Sequence, residues 1–282
     1  MKAVLVNDTR NEKHLGCVAS VLGLIKLCKN VGIEIIRTYT RKEVSKIDTE
    51  GVELVVVNGE GSLHRSPSFF KDILKFLDMN DLYAVVLNTV WEKMFFKYKL
   101  NRVKLIAFRE PLSLESFKQT YPNFEGGKFL AVDTAFVWAN IEVPEIGYGD
   151  SVMDMLRFSL AEGKNFYPLS PMVMPDFVSY ISWLKGLKLY VTGRFHGVVF
   201  ATIAGTPFLA FPSNSHKIEG LLKDMGCEDL LIKSFKEIQE KSDLAKKSKD
   251  RIIQFRDTAK KRLDDLKGVL KEVIDEIQNK KG

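Results

Sequence analysis

Over its first half, the chain alternates short, continuously apolar runs with amphipathic stretches, and this alternation constrains its fold more than any other feature. The runs are rich in β-branched residues, and the segments between them have apolar residues at helical spacing. Runs that are apolar throughout indicate strands buried on both faces, as in a parallel sheet covered by helices. The predicted strands are AVLVN, IEIIRTY, VELVVVN, LYAVVLN, VKLIAF and KFLAV. Residues 1–140 are therefore predicted to form a Rossmann-like domain.

A second, shorter α/β pattern follows a change of composition. Residues 141–165 contain proline, glycine and acidic residues, which is typical of a crossover between domains. The pattern resumes with a predicted helix in PDFVSYISWLKG, a strand in KLYVT, a helix in HGVVFATIAG, a strand in PFLAF and a helix from HKIEGLLKDMG. A chain of 282 residues is long enough for two domains. We therefore expect a second Rossmann-like domain over residues 141–232.

The C-terminal segment, residues 233–282, is predicted to be a basic helical tail. It holds 15 lysines and arginines against 10 acidic residues, and so carries five of the six net positive charges. From Ile252 to Ile277 apolar residues recur at steps of three or four, which predicts a long amphipathic helix. Such a helix packs on the body of the protein, pairs in a coiled coil or homodimer, or lies on a membrane surface. A basic patch with interleaved aromatic residues is missing, so we expect no nucleic-acid partner.

The cysteines and the apolar runs indicate the cellular compartment in which the protein is expected. Cys17, Cys28 and Cys227 are odd in number and form no CxxC pair, which favours reduced thiols in a cytoplasmic protein. HExxH, DxD and Cys/His metal-binding patterns are missing, so we expect neither a metal nor a cofactor. No apolar run approaches the ~20 residues of a membrane helix. The opening MKAVLVNDTR lacks the apolar core of a signal peptide, so we expect no leader there.

An arginine and a histidine interrupt one of the most apolar stretches, VTGRFHGVVFATIAGTPFLAF at residues 191–211. The pattern predicts a strand ending at Thr192, a turn and a helix starting close to His196. Open α/β sheets bind ligands at such a junction, where unpaired N–H groups and the helix dipole favour an anion. Arg194 would add a planar fork of donors, and His196 a proton donor near neutral pH. Alternatively, Arg194 caps a neighbouring strand and His196 is a hydrogen-bonded core residue.

The stretch TGRFHGVVFATIAGTPFLAFPSNSHKIEGLL resembles the C-terminal signature of the polysaccharide pyruvyl transferase family. That signature has an Arg-x-His turn, a helix of small residues, a Gly-x-Pro turn, a strand and a lysine. The matching residues are Arg194, His196, Gly205, Pro207 and Lys217. Family members are similar in fold to GT-B glycosyltransferases, with two Rossmann-like domains facing a cleft. Typical members transfer the enolpyruvyl group of phosphoenolpyruvate to a sugar as a ketal. The resemblance implies that Arg194, His196 and Lys217 lie at the donor site.

In the first domain, LVVVNGEGSLH resembles the glycine-rich GGGS loop of the family, with Glu60 in place of the middle glycine. A buried strand there runs into Gly59, Glu60, Gly61 and Ser62. Glycines let a backbone approach a ligand or take positive φ, and Glu60 is a candidate base for a sugar hydroxyl. The resemblance implies that the loop binds substrate. The alternative is a plain strand-to-helix turn with a solvated Glu60.

Three further stretches contain candidate residues. AFREPLS resembles a family segment that follows a strand, which makes Arg109 a candidate second donor to the anion; a surface pair with Glu110 is the alternative. AVDTAF resembles an Asp-x-Ala element in which Asp133 has a structural role. NDTRNEKHLGC follows the first strand, where His14 and Asn7 are candidates to face the cleft, and His14 is among the predicted substrate contacts.

Pyruvyl transfer is the leading functional hypothesis. Phosphoenolpyruvate would bind through Arg194, with Arg109 and Lys217 as further donors. His196 would protonate the methylene carbon or assist the departure of phosphate, while Glu60 deprotonates the attacking sugar hydroxyl.

Two alternatives stay open. A GT-B-type glycosyltransferase would use a nucleotide-activated sugar, such as a CMP-linked acidic sugar, whose charges are similar. A non-catalytic protein would bind sugar phosphates without turnover. For the enzyme, the expected acceptor is a sugar or a lipid-linked oligosaccharide, with at most weak peripheral contact at the inner face of the membrane.

Overall fold

The computed structural model describes residues 1–12, 14–60, 63, 67–92, 98–139, 176–213, 215–234 and 236–279. The predicted crossover over residues 141–165 lies outside these ranges. The chain divides into two compact units, each assembled from separate segments. Unit 1 comprises Met1–Asn11, Ser20–Val137 and Lys261–Gly282. Unit 2 comprises Glu12–Ala19 and Trp138–Lys260.

Unit 1 contains a six-stranded sheet, and all six predicted strands are confirmed. The strands are β1 (Lys2–Val6), β2 (Glu34–Tyr39), β3 (Leu54–Asn58), β4 (Tyr83–Thr89), β5 (Val103–Phe108) and β6 (Gly127–Leu130). They pair in parallel in the order β2-β1-β3-β4-β5-β6. This is the flavodoxin-like order of doubly wound sheets rather than the Rossmann order, and its direction reverses between β1 and β3. Open α/β sheets bind ligands at the carboxyl ends of the strands on either side of such a reversal.

Helices cover both faces of the sheet, as the continuous apolar runs predict. They are α1 (Leu15–Asn30), α2 (Pro67–Met79) and α3 (Pro111–Thr120). Phe70 of α2 and Phe117 of α3 pack on the face that contains Val55. Leu24 of α1 packs on the opposite face, which contains Val56. Successive residues of β3 therefore point into two different apolar layers, and both layers exclude water.

Unit 2 contains a smaller parallel pair with helices, in the predicted order. Its elements are α4 (Phe177–Lys185), β7 (Tyr190–Thr192), α5 (Phe195–Ala204), β8 (Phe208–Ala210), α6 (Lys217–Met225) and α7 (Lys236–Lys247). β7 pairs in parallel with β8, and Ala210 forms a parallel bridge with Leu231. Because residues 140–175 are not described, a complete second Rossmann-like sheet stays a prediction.

The last helix, α8 (Lys249–Asn279), confirms the predicted long amphipathic helix. Its segment from Lys261 onward belongs to unit 1, where its apolar stripe joins the layer that contains Leu24. The stripe residues in this layer are Leu266, Leu270, Val273, Ile274 and Ile277. Of the three roles open to this helix, packing on the body of the protein is the one the structure shows. Among the described residues, no helix is both long and apolar enough to cross a membrane.

Truncating this stripe should destabilise the protein. Leu270 is fully buried against the sheet, so Leu270→Ala is expected to lower the free energy of unfolding by about 2–5 kcal/mol. Lys271→Ala, at the adjacent exposed position, should change it by less than about 0.5 kcal/mol. Urea unfolding of both variants makes the comparison. Equal effects would show that α8 does not pack on the sheet.

Candidate functional site

Polar side chains follow five neighbouring strands of the sheet in unit 1, at their carboxyl ends. They belong to Asn7 after β1, Asn58 and Glu60 at and after β3, Thr89 at the end of β4, Arg109 after β5 and Asp133 after β6. All of them are buried. Open α/β sheets bind ligands at this edge, and the reversal of strand order lies between Asn7 and Asn58.

Three asparagines connect the ends of β1, β3 and β4. Asn7 Nδ2 donates to the Asn58 carbonyl at 2.7 Å, and Asn58 Nδ2 donates back to the Asn7 carbonyl at 3.2 Å. Asn88 Nδ2 donates to Asn58 Oδ1 at 3.4 Å. Asn7 and Asn88 both have positive φ, 67° and 62°, a region that asparagine tolerates better than most residues. The network therefore fixes where the chain turns as it leaves each strand.

Glu60 is buried beside this network. Its side chain is only 7% exposed, so the solvated Glu60 of the alternative interpretation is wrong. Glu60 Oε2 accepts from Thr9 Oγ1 at 3.0 Å and from Asn58 Nδ2 at 3.4 Å. A carboxylate held in this way has a fixed orientation, which a general base requires.

Gly59 has a packing role. A Cβ there would lie 2.7 Å from Thr89 Oγ1 and 3.0 Å from the Leu87 carbonyl, so a side chain would collide with β4. The space beside Gly59 is filled by protein atoms, which differs from the predicted approach of a ligand to the backbone. The other predicted loop residues, Gly61 and Ser62, lie outside the described residues.

Arg109 forms a buried ion pair. Its Nη1 donates to Asp133 Oδ2 at 2.9 Å, and the two side chains are 2% and 0% exposed. Asp133 also accepts from Ser20 Oγ at 2.8 Å. Glu110 instead accepts the N–H groups of Leu112 and Ser113 and caps α3. The expected alternative of a surface pair between Arg109 and Glu110 is wrong because both residues are buried. A role of Arg109 in binding substrate stays a prediction.

A second acidic group at this edge is held by an arginine. Burial acts to raise the pKa of Asp8, but hydrogen bonds from the Arg10 side chain and backbone outweigh it, and the pKa is lowered. The ion pair neutralises Arg10 where the chain leaves β1.

In unit 2, Arg194 and His196 lie where β7 meets α5. Arg194 is the N-cap residue of α5, and its N–H donates to Thr192 Oγ1 at 3.1 Å. Its side chain makes no capping hydrogen bond. His196, in the first turn, is 7% exposed. The predicted strand, turn and helix are thus confirmed, with the helix beginning at Phe195, and the chain places an arginine at a helix amino terminus.

The structure brings His14 and His196 together within unit 2. Their ring centroids are 5.4 Å apart, with the ring planes at 53°. Lys217 is the first residue of α6, which follows β8, the parallel neighbour of β7. Arg194 and Lys217 thus each follow one strand of the pair. A neutral or protonated imidazole pair next to a helix amino terminus can hold an anion and move a proton.

No group of three or more His, Cys, Asp or Glu able to hold a metal ion occurs among the described residues. A cavity of about 780 Å³ lies elsewhere in unit 1, lined by Tyr98, Tyr121, Phe124 and Glu272 among others. None of the described predicted site residues lines it.

Some site residues were not predicted from the sequence. Three predicted strands, AVLVN, VELVVVN and LYAVVLN, end in asparagine, and these last residues are the Asn7, Asn58 and Asn88 of the network, so the repetition is a signal that could have found it. Thr9, which holds Glu60, and Gly16, which contacts His196, have no comparable local signal because their partners are distant in sequence.

A family model described as polysaccharide pyruvyl transferase matches residues 14–215, well over half of the chain. The match includes Glu60, Arg109, Arg194 and His196 and stops two residues before Lys217. No curated protein matches the chain in sequence.

Among solved structures, the chain is similar to a functionally uncharacterised protein from Klebsiella pneumoniae subsp. pneumoniae. The TM-score is 0.50 at 12% identity, over 83% of this chain and 93% of that chain. A likeness at this identity shows an α/β fold and carries no functional statement.

Removing Arg109 should test stability rather than binding. Arg109→Met would leave Asp133 as a buried charge without its cation, which is expected to lower the free energy of unfolding by about 3–5 kcal/mol. Lys217→Met, at a half-buried helix start, should change it by less than about 0.5 kcal/mol. Urea unfolding measures both. Unchanged stability with weakened anion binding would make Arg109 a ligand-binding residue instead.

The three thiols should differ in reactivity. Burial raises the pKa of Cys28 to about 12 and that of Cys227 to about 11, whereas Cys17 is half-buried in the first turn of α1. A maleimide at neutral pH should therefore modify Cys17 in the native protein, and the other two only after unfolding. Peptide mass mapping identifies the site, with Cys17→Ser as control. Rapid native labelling of Cys28 would contradict this packing.

Proposed function

The chain belongs to the polysaccharide pyruvyl transferase family, and we propose that it transfers a pyruvyl group from phosphoenolpyruvate to a sugar, forming a ketal. The observation that carries the proposal is the junction of β7 and α5, where Arg194 occupies the N-cap position of the helix and His196 lies in its first turn. Family membership supports pyruvyl transfer and gives no support to a nucleotide-sugar donor.

The donor is proposed to bind at this junction. Phosphoenolpyruvate carries a carboxylate and a phosphate, and a helix amino terminus attracts such groups through its N–H groups and dipole. Arg194 suits a planar, bidentate contact with either group. Its side chain is half-buried at the start of the helix, which supports this role. Lys217, at the start of the helix after β8, is proposed as a second cation for the donor.

His196 is proposed as the general acid. Its proton goes to the methylene carbon of phosphoenolpyruvate, which becomes the methyl group of the product, while one sugar hydroxyl bonds to C2. A second hydroxyl then bonds to C2 as the C2–O bond to phosphate breaks, which gives the ketal and inorganic phosphate. The two hydroxyl protons return to the protein and the phosphate, so the step needs no oxidant or cofactor.

The acceptor is proposed to bind at the carboxyl edge of the six-stranded sheet, with Glu60 as the base for its hydroxyl. Hydrogen bonds from Thr9 and Asn58 hold this carboxylate, which supports a fixed direction of proton transfer. The GT-B-like arrangement of two domains facing a cleft is part of this proposal and comes from the family resemblance.

If Glu60 acts as this base, Glu60→Gln should lower kcat without changing KM for phosphoenolpyruvate.

We also propose cytoplasmic action on a sugar or lipid-linked oligosaccharide. Because the apolar stripe of α8 is buried in unit 1, attachment of this helix to a membrane would depend on its basic residues alone. Such attachment would be weak and salt-sensitive.

Donor identity and residue roles can be tested together. Phosphoenolpyruvate at 100 times its Kd should stabilise the protein by about 2.7 kcal/mol in thermal shift, whereas CMP and UDP should not. Arg194→Ala should raise KM for phosphoenolpyruvate, because an anion contact is lost. His196→Gln should lower kcat by about 10²–10⁴-fold, because the acid is lost. An equal collapse of Tm in both variants, without any ligand effect, would support purely structural roles for the two residues.

A further inference from the structure

The His196 imidazole occupies the space that a side chain at position 16 would need. A Cβ built on Gly16 would lie 2.1 Å from Cγ, 2.2 Å from Nδ1 and 2.4 Å from Cβ of His196. These distances are far inside van der Waals contact, so no side chain at position 16 is compatible with this position of the imidazole. The first turn of α1 and the first turn of α5 are therefore in direct contact within unit 2.

Backbone conformation does not explain this glycine. The described glycines with positive φ are Gly32, Gly51, Gly205 and Gly226, so Gly16 has a φ that any residue adopts. Glycine also disfavours a helix relative to alanine, and Gly16 is the second residue of α1. The contact with His196 is the feature that requires a glycine here.

His14 also lies beside the His196 imidazole. Its carbonyl accepts the N–H of Val18 at 3.1 Å, which makes His14 the N-cap residue of α1. Its Nδ1 accepts the N–H of Gly16 at 3.1 Å, so the neutral ring carries its proton on Nε2. The hydrogen bond fixes the His14 ring, whose centroid is 5.4 Å from that of His196.

His196 is thus enclosed on several sides. Gly16 contacts its ring, and His14 lies beside it. The rings of Phe195 and Phe200 lie at centroid distances of 5.5 and 6.3 Å. The two phenylalanines belong to the same helix as His196, whereas Gly16 and His14 come from a distant part of the chain. Gly16 and His14 therefore constrain the orientation of the imidazole from outside its own helix.

We propose that Gly16 and His14 are positioning residues for His196, with the bare backbone of Gly16 making room for the imidazole and the capped His14 ring orienting it. This inference rests on the proposed function, in which His196 moves a proton. It assigns His14 a positioning role in place of the predicted substrate contact. Proton transfer requires a donor and an acceptor within hydrogen-bond reach, so a displaced imidazole would transfer its proton poorly.

The central variant is Gly16→Ala, with Gly268→Ala as its matched control. Gly268 also lies in a helix and has nothing within 4 Å of a Cβ. By helix propensity alone, each substitution would raise Tm by about 2 °C. We expect that rise at position 268, and no rise or a fall at position 16. If both rise equally, the Gly16 contact does not constrain His196.

Histidine NMR gives a readout independent of activity. The chain has four histidines, so the ring resonances of His14 and His196 can be assigned from single substitutions in selectively labelled protein. We expect cross-relaxation between these two rings in the unmodified protein, and its absence would overturn the proposal. Gly16→Ala should shift the His196 resonances, whereas Gly268→Ala should leave them in place.

Kinetics with phosphoenolpyruvate then separate positioning from binding. Gly16→Ala should lower kcat by about 10²-fold, as a misplacement of about 1 Å does, with KM for the donor within about twofold. If Gly16→Ala does not fold, His14→Asn replaces it, because asparagine retains the N-cap acceptor but removes the ring. Unshifted His196 resonances and unchanged kcat in the folded variant would refute the positioning role. If the unmodified protein transfers no pyruvyl group while the resonances shift as expected, the proposed function fails and the positioning role stands.

Discussion

Buried hydrogen-bonding side chains at the carboxyl edge of the six-stranded sheet constrain everything that unit 1 presents there. A polar group buried without a partner costs about 1–3 kcal/mol, so each side chain at this edge restricts the loop that follows its strand. Asn58 is central, since it bonds to Asn7 on one side, to Asn88 on the other and to Glu60 above its own strand. The position of Glu60 thus follows from the way three strand ends are joined.

In unit 2, the candidate residues lie at the amino terminus of a buried helix. Apart from its final residue, α5 is buried along its whole length, and its first turn leaves backbone N–H groups that need hydrogen-bond partners. Arg194 and His196 occupy that end. The small space around His196 is created by a glycine from another helix, and not by its own neighbours in sequence. Both units therefore place their candidate chemistry at strand ends, where helices begin and backbone N–H groups favour anions.

The elements were predictable from the sequence because their causes are local. Continuous apolar runs predicted all six strands of the sheet, and helical spacing predicted α1, α5 and α8. The junction at Arg194 and His196 was also predictable, since a strand, a turn and a helix there lie within a few residues. The order of the strands was not, because it depends on crossovers that no short window contains.

Contacts between residues that are distant in sequence could not be predicted from local patterns either. Arg109 pairs with Asp133, 24 residues away, and Glu110 caps α3. Gly16 gives no sign in sequence that His196 will fill the space beside it. Both contacts arise from tertiary packing, in which a buried charge needs a partner and an imidazole needs room.

The central claim is that the amino terminus of α5 holds the donor. A crystal structure of the protein with phosphoenolpyruvate tests this claim most directly. We expect the carboxylate or phosphate within hydrogen-bond distance of the Arg194 guanidinium, with the methylene carbon near the His196 imidazole. Phosphoenolpyruvate bound elsewhere, with Arg194 and His196 making no contact to it, would contradict the claim.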